Sequence, residues 1–318
     1  MSYDPYARIC RRLKGAIAGA VSQNEPLSRY TTLRVGGPTR LLVLADTLHD
    51  LMMTLDECAE ESVAWSVIGK GSNLLVSDAG YDGVMIQLGT DFRRMKRDGD
   101  NLQAGAAMPL PLLVQAALRE ELGGLAFAVG IPGTLGGAIA GNAGAHGNWI
   151  GDLVHSVTLY GPYGKLRHCD RSELRFDYRI SSITSDDVIV EALLALEAAD
   201  PAQVRGEMER YFKKRKLTQP TGLPSAGSVF KNPAGQPAGK LIEQAGLKGL
   251  QVGGARVSLR HANFIVNAGS ARAADVYALV KMVQEKVLAA SGVRLELEIQ
   301  TIGVFETTQT EVGTGFAG

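Results

Sequence analysis

The residues of this chain that could do chemistry lie in short glycine-rich and polar clusters. Residues 69–73 read Gly69-Lys70-Gly71-Ser72-Asn73 and close the apolar run 63–68. Glycines let successive backbone N–H groups turn toward one point and form an anion nest. Ser72 and Asn73 add side-chain donors, so a pyrophosphate suits the loop; the alternative is a tight turn between strands. Better-known phosphate loops do not fit. A dinucleotide fingerprint requires a third glycine three residues after Gly71, and the fingerprint's last position holds Leu74. A P-loop needs four residues between its first glycine and the Gly-Lys pair. Here Gly235 and Gly239-Lys240 are separated by three, and Leu241 follows. The second loop, 130–147, holds seven glycines in eighteen residues, with Ile131, Leu135 and Ile139 and no run of charges. It is too apolar for a flexible linker, and it suits tight folding against a flat guest or a phosphate that any Cβ would obstruct.

Four other clusters carry polar chemistry. Ser228 stands between Gly227 and Val229, where a serine is ordinarily a turn residue. Arg175 and Asp177 alternate with Phe176 and Tyr178 ahead of Arg179, which by itself reads as a surface ion pair. In 293–299, Arg294, Glu296 and Glu298 alternate with apolar residues and so share one face of an expected strand. That periodicity does not choose between the two acids, and a solvated strand face explains it equally. Lys213-Lys214-Arg215-Lys216 has the composition of a solvated helix end. The five histidines show no metal-ligand spacing, and no metal site is expected.

The elements that must position these clusters follow from pattern. A basic helix is expected over 5–20, a strand over 40–45, an amphipathic helix over 48–61, and strands at 63–68, 74–76 and 83–88. Hairpins are expected at 92–106 and 153–169, the second turning at Gly161-Pro162-Tyr163-Gly164. A helix over 110–122 lies between them. A strand at 188–196 precedes Asp200-Pro201, which starts a basic helix over 201–216. A helix near 238–245, a strand at 263–267, a long helix over 271–290 capped by Ser270, and the strand 293–299 complete the folded part. Residues 304–318 read as a loose tail.

Composition bounds the function. The chain has 318 residues, a length that suggests about two domains. Lys+Arg and Asp+Glu both number 33, so the basic excess of a dedicated nucleic-acid binder is missing. Three cysteines without CxxC spacing point away from disulfides and toward a reducing, cytoplasmic setting. No apolar run reaches the ~18 residues of a membrane span, and 1–20 lacks the apolar stretch of a signal peptide.

Taken together, GKGSNLLVSD and GIPGTLGGAIAGNAG resemble the FAD-binding domain of the vanillyl-alcohol-oxidase type. YTTLRVGG (30–37), FDYR (176–179), TQP (218–220), SAGSVFKNP (225–233), HANFIVN (261–267) and LELE (295–298) follow in order. The ordered set is similar to the UDP-N-acetylenolpyruvoylglucosamine reductase (MurB) family over roughly residues 27–303. The short segment after Arg179, ISSITSDD, resembles the second type of that family, without the inserted substrate loop of the first.

The resemblance implies an α+β fold. An FAD-binding domain of two α+β subdomains, 1–199 with a split near 90, would be followed by a smaller α+β substrate-binding domain, 200–303. It implies non-covalent FAD, NADPH as hydride donor, and UDP-N-acetylglucosamine enolpyruvate as substrate in peptidoglycan precursor synthesis. The flavin contacts would be Gly69, Lys70, Gly71, Ser72, Asn73 and Leu74 from the first loop. The second would supply Gly130, Ile131, Pro132, Gly133, Thr134, Gly136, Gly137, Asn142, Ala143 and Gly144. Ser228 would donate the proton, Arg179 would hold the enolpyruvyl carboxylate, and the second acid, Glu298, would be the functional one. Many members have proline between the two acids, where this chain has Leu297. Arg215 and Gln219 would hold the diphosphate, with Lys231 and Asn232 also on the substrate. Two alternatives stand beside this reading: another FAD oxidoreductase of the hydroxy-acid-oxidase kind, and a non-catalytic UDP-sugar-binding protein.

Overall fold

The computed structural model describes residues 3–161 and 164–305. Pro162 and Tyr163 of the expected turn, and 306–318 of the expected tail, lie outside the described residues. A four-stranded sheet opens the chain, in the order Ala20–Pro26, Pro38–Ala45, Tyr81–Leu88, Trp65–Val67. The first pair is antiparallel and the others parallel. The crossover helix is Leu48–Glu60, whose capping box joins Thr47 and Asp50. A second, antiparallel sheet of five strands runs in the order Lys165–Asp170, Val154–Gly161, Val188–Ala195, Asn101–Gly105, Met95–Asp98. A third, small sheet holds Gln251–Val252, Ala255–Val257 and Ile265–Asn267. The chain is thus α+β throughout.

Two large apolar cores divide these elements. The first runs from Ile9 and Leu13 through both larger sheets to Val204 and Met208 of the helix Pro201–Thr218. The second gathers Phe230, Leu241, Ile242 and one side of the helix Ala273–Ser291 around Leu33, Val35 and Leu75. Leu33 and Val35 come from the YTTLRVGG stretch, so that stretch enters the core of the later part of the chain.

Four elements differ from expectation. The first helix is Pro5–Leu13 and ends well short of residue 20, because the chain turns at Gly15 and pairs as a strand from Ala20. The loop 130–147 contains a short helix, Leu135–Ala140, because the Thr134 hydroxyl accepts from the Gly137 N–H and caps it. Residues 293–299 form no ladder. Only Leu297 bridges, to Phe230, and regular pairing begins at Gln300–Ile302, parallel to Leu74–Val76. Alternation of side chains does not require a partner strand, and here the segment is held by isolated bonds on either side. The fourth is the cap of Ala273–Ser291. Ser270 does not cap it; its backbone is left-handed at φ 51°. The Asp78 carboxylate instead accepts from Ala273 N at 2.8 Å and Ala274 N at 2.9 Å. Asp78 ends GKGSNLLVSD, so the final residue of the first glycine motif caps the longest helix of the second core. A carboxylate suits that end of the helix dipole.

Replacing Asp78 by alanine should lower unfolding free energy by about 1 kcal/mol, the usual cost of a lost cap, and Asp78→Asn should recover most of it. Thermal unfolding of the three proteins measures this; equal midpoints would remove Asp78 from the account.

Candidate active site

The two glycine loops meet. The Ser72 hydroxyl donates to the Pro132 carbonyl at 3.0 Å. The N–H groups of Gly69, Lys70, Gly71, Ser72 and Asn73 donate to no acceptor among the described residues. Buried or half-buried backbone donors almost always find partners, so successive unpaired N–H groups fit an anionic guest. Below the loops lies an open cleft with a cavity volume of about 150 Å³, with Gly69, Lys70, Thr134, Gly136 and Gly137 among its walls. Its far wall, Ile183, Thr184 and Asp187, comes from ISSITSDD, and Arg93 and Gln87 come from the two flanking elements. The sequence reading missed those residues, which lie in an unremarkable loop and at strand ends. The donor set fits an anionic group such as the pyrophosphate of a dinucleotide.

Individual residues of the loops do different work from one another. Gly71, at φ 55°, is not open to the cleft: a Cβ there would lie 2.2 Å from the Tyr30 carbonyl oxygen. Thr32 N donates to the Gly71 carbonyl at 3.1 Å, so YTTLRVGG braces the loop from behind. Leu74 begins the strand Leu74–Val76. The N–H groups of Ile131 and Gly136 are committed to Ala128 and Ala106. The Asn142 amide brackets the protein internally, donating to Asp177 O at 2.8 Å and accepting from Gly151 N at 3.0 Å. Gly137 is the contrasting case. Its helical backbone is ordinary, and a Cβ there would meet only the Thr134 hydroxyl, at 3.5 Å, at the edge of the cleft.

The residues expected to carry the chemistry come from three distant segments. The segment around Ser228 is fixed by Val229 N on Asn263 O and by Phe230 N on the Asn263 side chain, both 2.9 Å. Val229 O in turn accepts from Glu298 N at 2.8 Å, which sets Ser228 and Glu298 on neighbouring chains. From the other side the Asn73 amide donates to Glu298 O at 3.0 Å, and Asn73 O accepts from Gln300 N at 2.9 Å. Periodicity left Glu296 and Glu298 equal; the structure separates them. Glu296 is 75% exposed and pairs loosely with Lys231 at 3.7 Å. Glu298 is 13% exposed, and its Oε1 lies 2.7 Å from Arg179 Nε. That N–H is not aimed along the contact, so the attraction is charge against charge more than a directed hydrogen bond. Burial pushes the Glu298 carboxyl above its ordinary value, and the charges of Arg179 and Lys231 partly offset this.

Arg179 occupies a left-handed position, φ 61°, at the turn between Phe176–Asp177 and Ile180–Ser181. Tyr178 before it accepts from Asn232 N at 3.1 Å, and Asn232 Oδ1 accepts from Ala238 N at 3.0 Å. A second opening is lined by Tyr178, Lys231, Asn232, Arg294 and Glu296. On the helix Pro201–Thr218, Arg215 is half-buried beside the Gly130 turn, its Cδ 3.2 Å from where a Gly130 Cβ would stand. Burial alone pushes its guanidinium below the ordinary value, with no carboxylate among the described residues to offset it. An unpaired, desolvated guanidinium is a site for a phosphate. Gln219 caps the same helix, its N–H on Arg215 O. His146, which belongs to none of the expected site residues, stacks on Tyr211 of that helix with centroids 4.3 Å apart. No group of His, Cys, Asp and Glu able to hold a metal ion occurs among the described residues.

The comparisons with known proteins agree over nearly the whole chain. Residues 39–170 match the FAD binding domain family, and residues 219–302 match the C-terminal domain of UDP-N-acetylenolpyruvoylglucosamine reductase. UDP-N-acetylenolpyruvoylglucosamine reductase 2 of Symbiobacterium thermophilum is 43% identical over 298 residues, covering 93% of this chain and 97% of that one. The reductase of Heliobacterium modesticaldum is 44% identical over 287 residues, covering 90% and 91%. The crystal structure of UDP-N-acetylenolpyruvylglucosamine reductase from Thermus caldophilus superposes with a TM-score of 0.80 at 38% identity, covering 90% of this chain and all of that one.

The two kinds of glycine make a separable test. Gly71→Val should destabilise the protein and empty the cleft together. Gly137→Leu should leave the stability of the flavin-free protein intact and weaken FAD binding by about 1–3 kcal/mol, the cost of overfilling a packed site. Thermal unfolding of the apoprotein and fluorescence titration with FAD distinguish the two; full FAD affinity in Gly137→Leu would move the cofactor out of this cleft.

Proposed function

We propose how the site works from the premise that this chain belongs to the UDP-N-acetylenolpyruvoylglucosamine reductase family. It is an FAD-dependent NADPH oxidoreductase that reduces UDP-N-acetylglucosamine enolpyruvate to UDP-N-acetylmuramate in peptidoglycan precursor synthesis. Similarity over nine-tenths of both chains to proteins bearing the reductase name sets aside the oxidase alternative. No helix among the described residues is long and apolar enough to cross a membrane. We place the enzyme in the cytoplasm, a reading supported by three free, buried cysteines.

When bound, FAD accepts a hydride from NADPH and delivers it to the enolpyruvyl double bond. The chain's own residues do the rest. The backbone donors of 69–73 and the free N–H groups near Gly133 and Thr134 hold the pyrophosphate. Arg215, unpaired and desolvated, takes a phosphate of the UDP group, with Gln219 beside it. Lys231 and Asn232, which line the second opening, contact the rest of the substrate.

Reduction of an enolpyruvyl ether builds negative charge into the substrate carboxylate. Arg179 is the cation placed to bind that carboxylate and stabilise the charge. The other carbon needs a proton, and Ser228 supplies it from its hydroxyl. A hydroxyl is a weak acid on its own, and Glu298, whose backbone bonds to Val229 beside Ser228, is the acid residue that acts with it. The supporting observation is that Arg179 and Glu298, from segments far apart in sequence, meet at a half-buried point, and that the backbone of Glu298 bonds to Val229, the residue after Ser228. In this reading 1–199 holds the flavin and 200–303 closes over the UDP-sugar. The helix Pro201–Thr218 joins the two, anchored by Val204 and Met208 in the first core and carrying Arg215 toward its other end.

Ser228→Ala should leave reduction of bound FAD by NADPH nearly unchanged while slowing re-oxidation by the enolpyruvyl sugar ~10²–10⁴-fold. Arg179→Ala should weaken sugar binding as well, because its partner is charged before reaction. Stopped-flow absorbance separates the half-reactions. Re-oxidation of the Ser228→Ala enzyme at the parent rate would rule out the proton-donor role.

A further inference from the structure

Arg179 has more around it than the acid it pairs with. Its Cζ lies 5.4 Å from the centroid of the Trp149 ring and 5.6 Å from that of Tyr178. The two rings meet edge to face at 89°, with centroids 5.5 Å apart. Both terminal nitrogens of Arg179 donate to Gly144 O, at the long distances of 3.3 and 3.4 Å. Gly144 pairs with Trp149 across a two-residue ladder, and a Cβ on Gly144 would lie 2.1 Å from the indole. The glycine is therefore required by the tryptophan ring. Trp149 belongs to no motif that carried the functional reading.

We propose that Trp149 is a positioning residue: with Tyr178 it forms an aromatic corner that holds the Arg179 guanidinium flat, between Glu298 and the place where the substrate carboxylate arrives. The inference rests on the reading that Arg179 binds that carboxylate. A guanidinium on a flexible stem loses rotamer freedom when it is fixed, and aromatic faces fix it without competing for its hydrogen bonds. The corner leaves the planar fork free to exchange. The long bonds to Gly144 O are weak enough to be given up, and a carboxylate can take both terminal nitrogens as a bidentate acceptor. Tyr178 ties the corner to the substrate side through Asn232 N. The charged groups facing the corner are Glu298 beside Arg179, and Lys231 with its partner Glu296 across the second opening.

The test compares two ligands of the holoenzyme by calorimetry. UDP-N-acetylmuramate carries the lactyl carboxylate; UDP does not. Trp149→Ala should weaken UDP-N-acetylmuramate roughly tenfold or more, the scale of a desolvated cation–ring contact, and leave UDP affinity and FAD content unchanged. Trp149→Phe, which keeps a ring face, should recover most of the loss. Trp149→Leu serves in the same two titrations should the alanine variant not fold. Equal loss for both ligands would mean that Trp149 only supports the fold, and no loss for either would remove its role; each overturns the proposal. Arg179→Ala run in parallel assigns the fault. If it spares UDP-N-acetylmuramate, the carboxylate-binding role of Arg179 is wrong; if it alone loses affinity, Trp149 is not what positions it.

Discussion

One asparagine determines where the acid of this site stands. Asn73 donates its side-chain amide to Glu298 O and accepts Gln300 N at its own carbonyl. Those two bonds clamp the end of an otherwise unladdered segment to the first glycine loop. The opposite edge of that segment is held by Val229 O on Glu298 N. The acid, the serine segment and the first glycine loop are therefore fixed by one junction of three segments. A carboxylate as buried as that of Glu298 is costly to hold charged, and it is stabilised because Arg179 arrives from the opposite direction. Neither member of such a pair is safely buried alone, so the segment that carries Arg179 and the closing segment that carries Glu298 depend on each other electrostatically.

Much of this was legible in the residues. The apolar periods gave the crossover helix Leu48–Glu60 and most strands of both larger sheets, because regular burial on one face leaves a regular trace. The glycine loops suggest an anion by composition, and the N–H groups of 69–73 have no acceptor among the described residues. What periodicity could not carry is anything decided by a distant partner. Glu296 and Glu298 differ only in what faces them, and that is set by a hairpin more than a hundred residues earlier. The cap of Ala273–Ser291 reads locally as Ser270, yet it is Asp78, whose carboxylate approaches from the first part of the chain. The far wall of the cleft, from ISSITSDD, has no composition to mark it.

The glycines show the same division. A glycine-rich loop suggests that each missing side chain makes room for the guest. Gly71 instead makes room for Tyr30 and Thr31, and Gly144 for Trp149. These positions shape the walls by letting protein approach protein. Gly137 alone of the three has open space where its side chain would be. The loop is thus a tightly packed piece of protein that presents unpaired backbone donors, and its rigidity comes from the same contacts that exclude side chains.

The junction at Asn73 joins residues 225 positions apart in the chain. During synthesis the first glycine loop leaves the ribosome long before its second half of support exists. Leu74–Val76 has no partner strand until Gln300–Ile302 is made. The nascent chain can fold its larger sheets early, from nearby segments, but the acid, the cap of the last helix and the closing strand pair arrive only with the final stretch. A chain interrupted before that stretch lacks the whole setting of the Glu298 carboxylate.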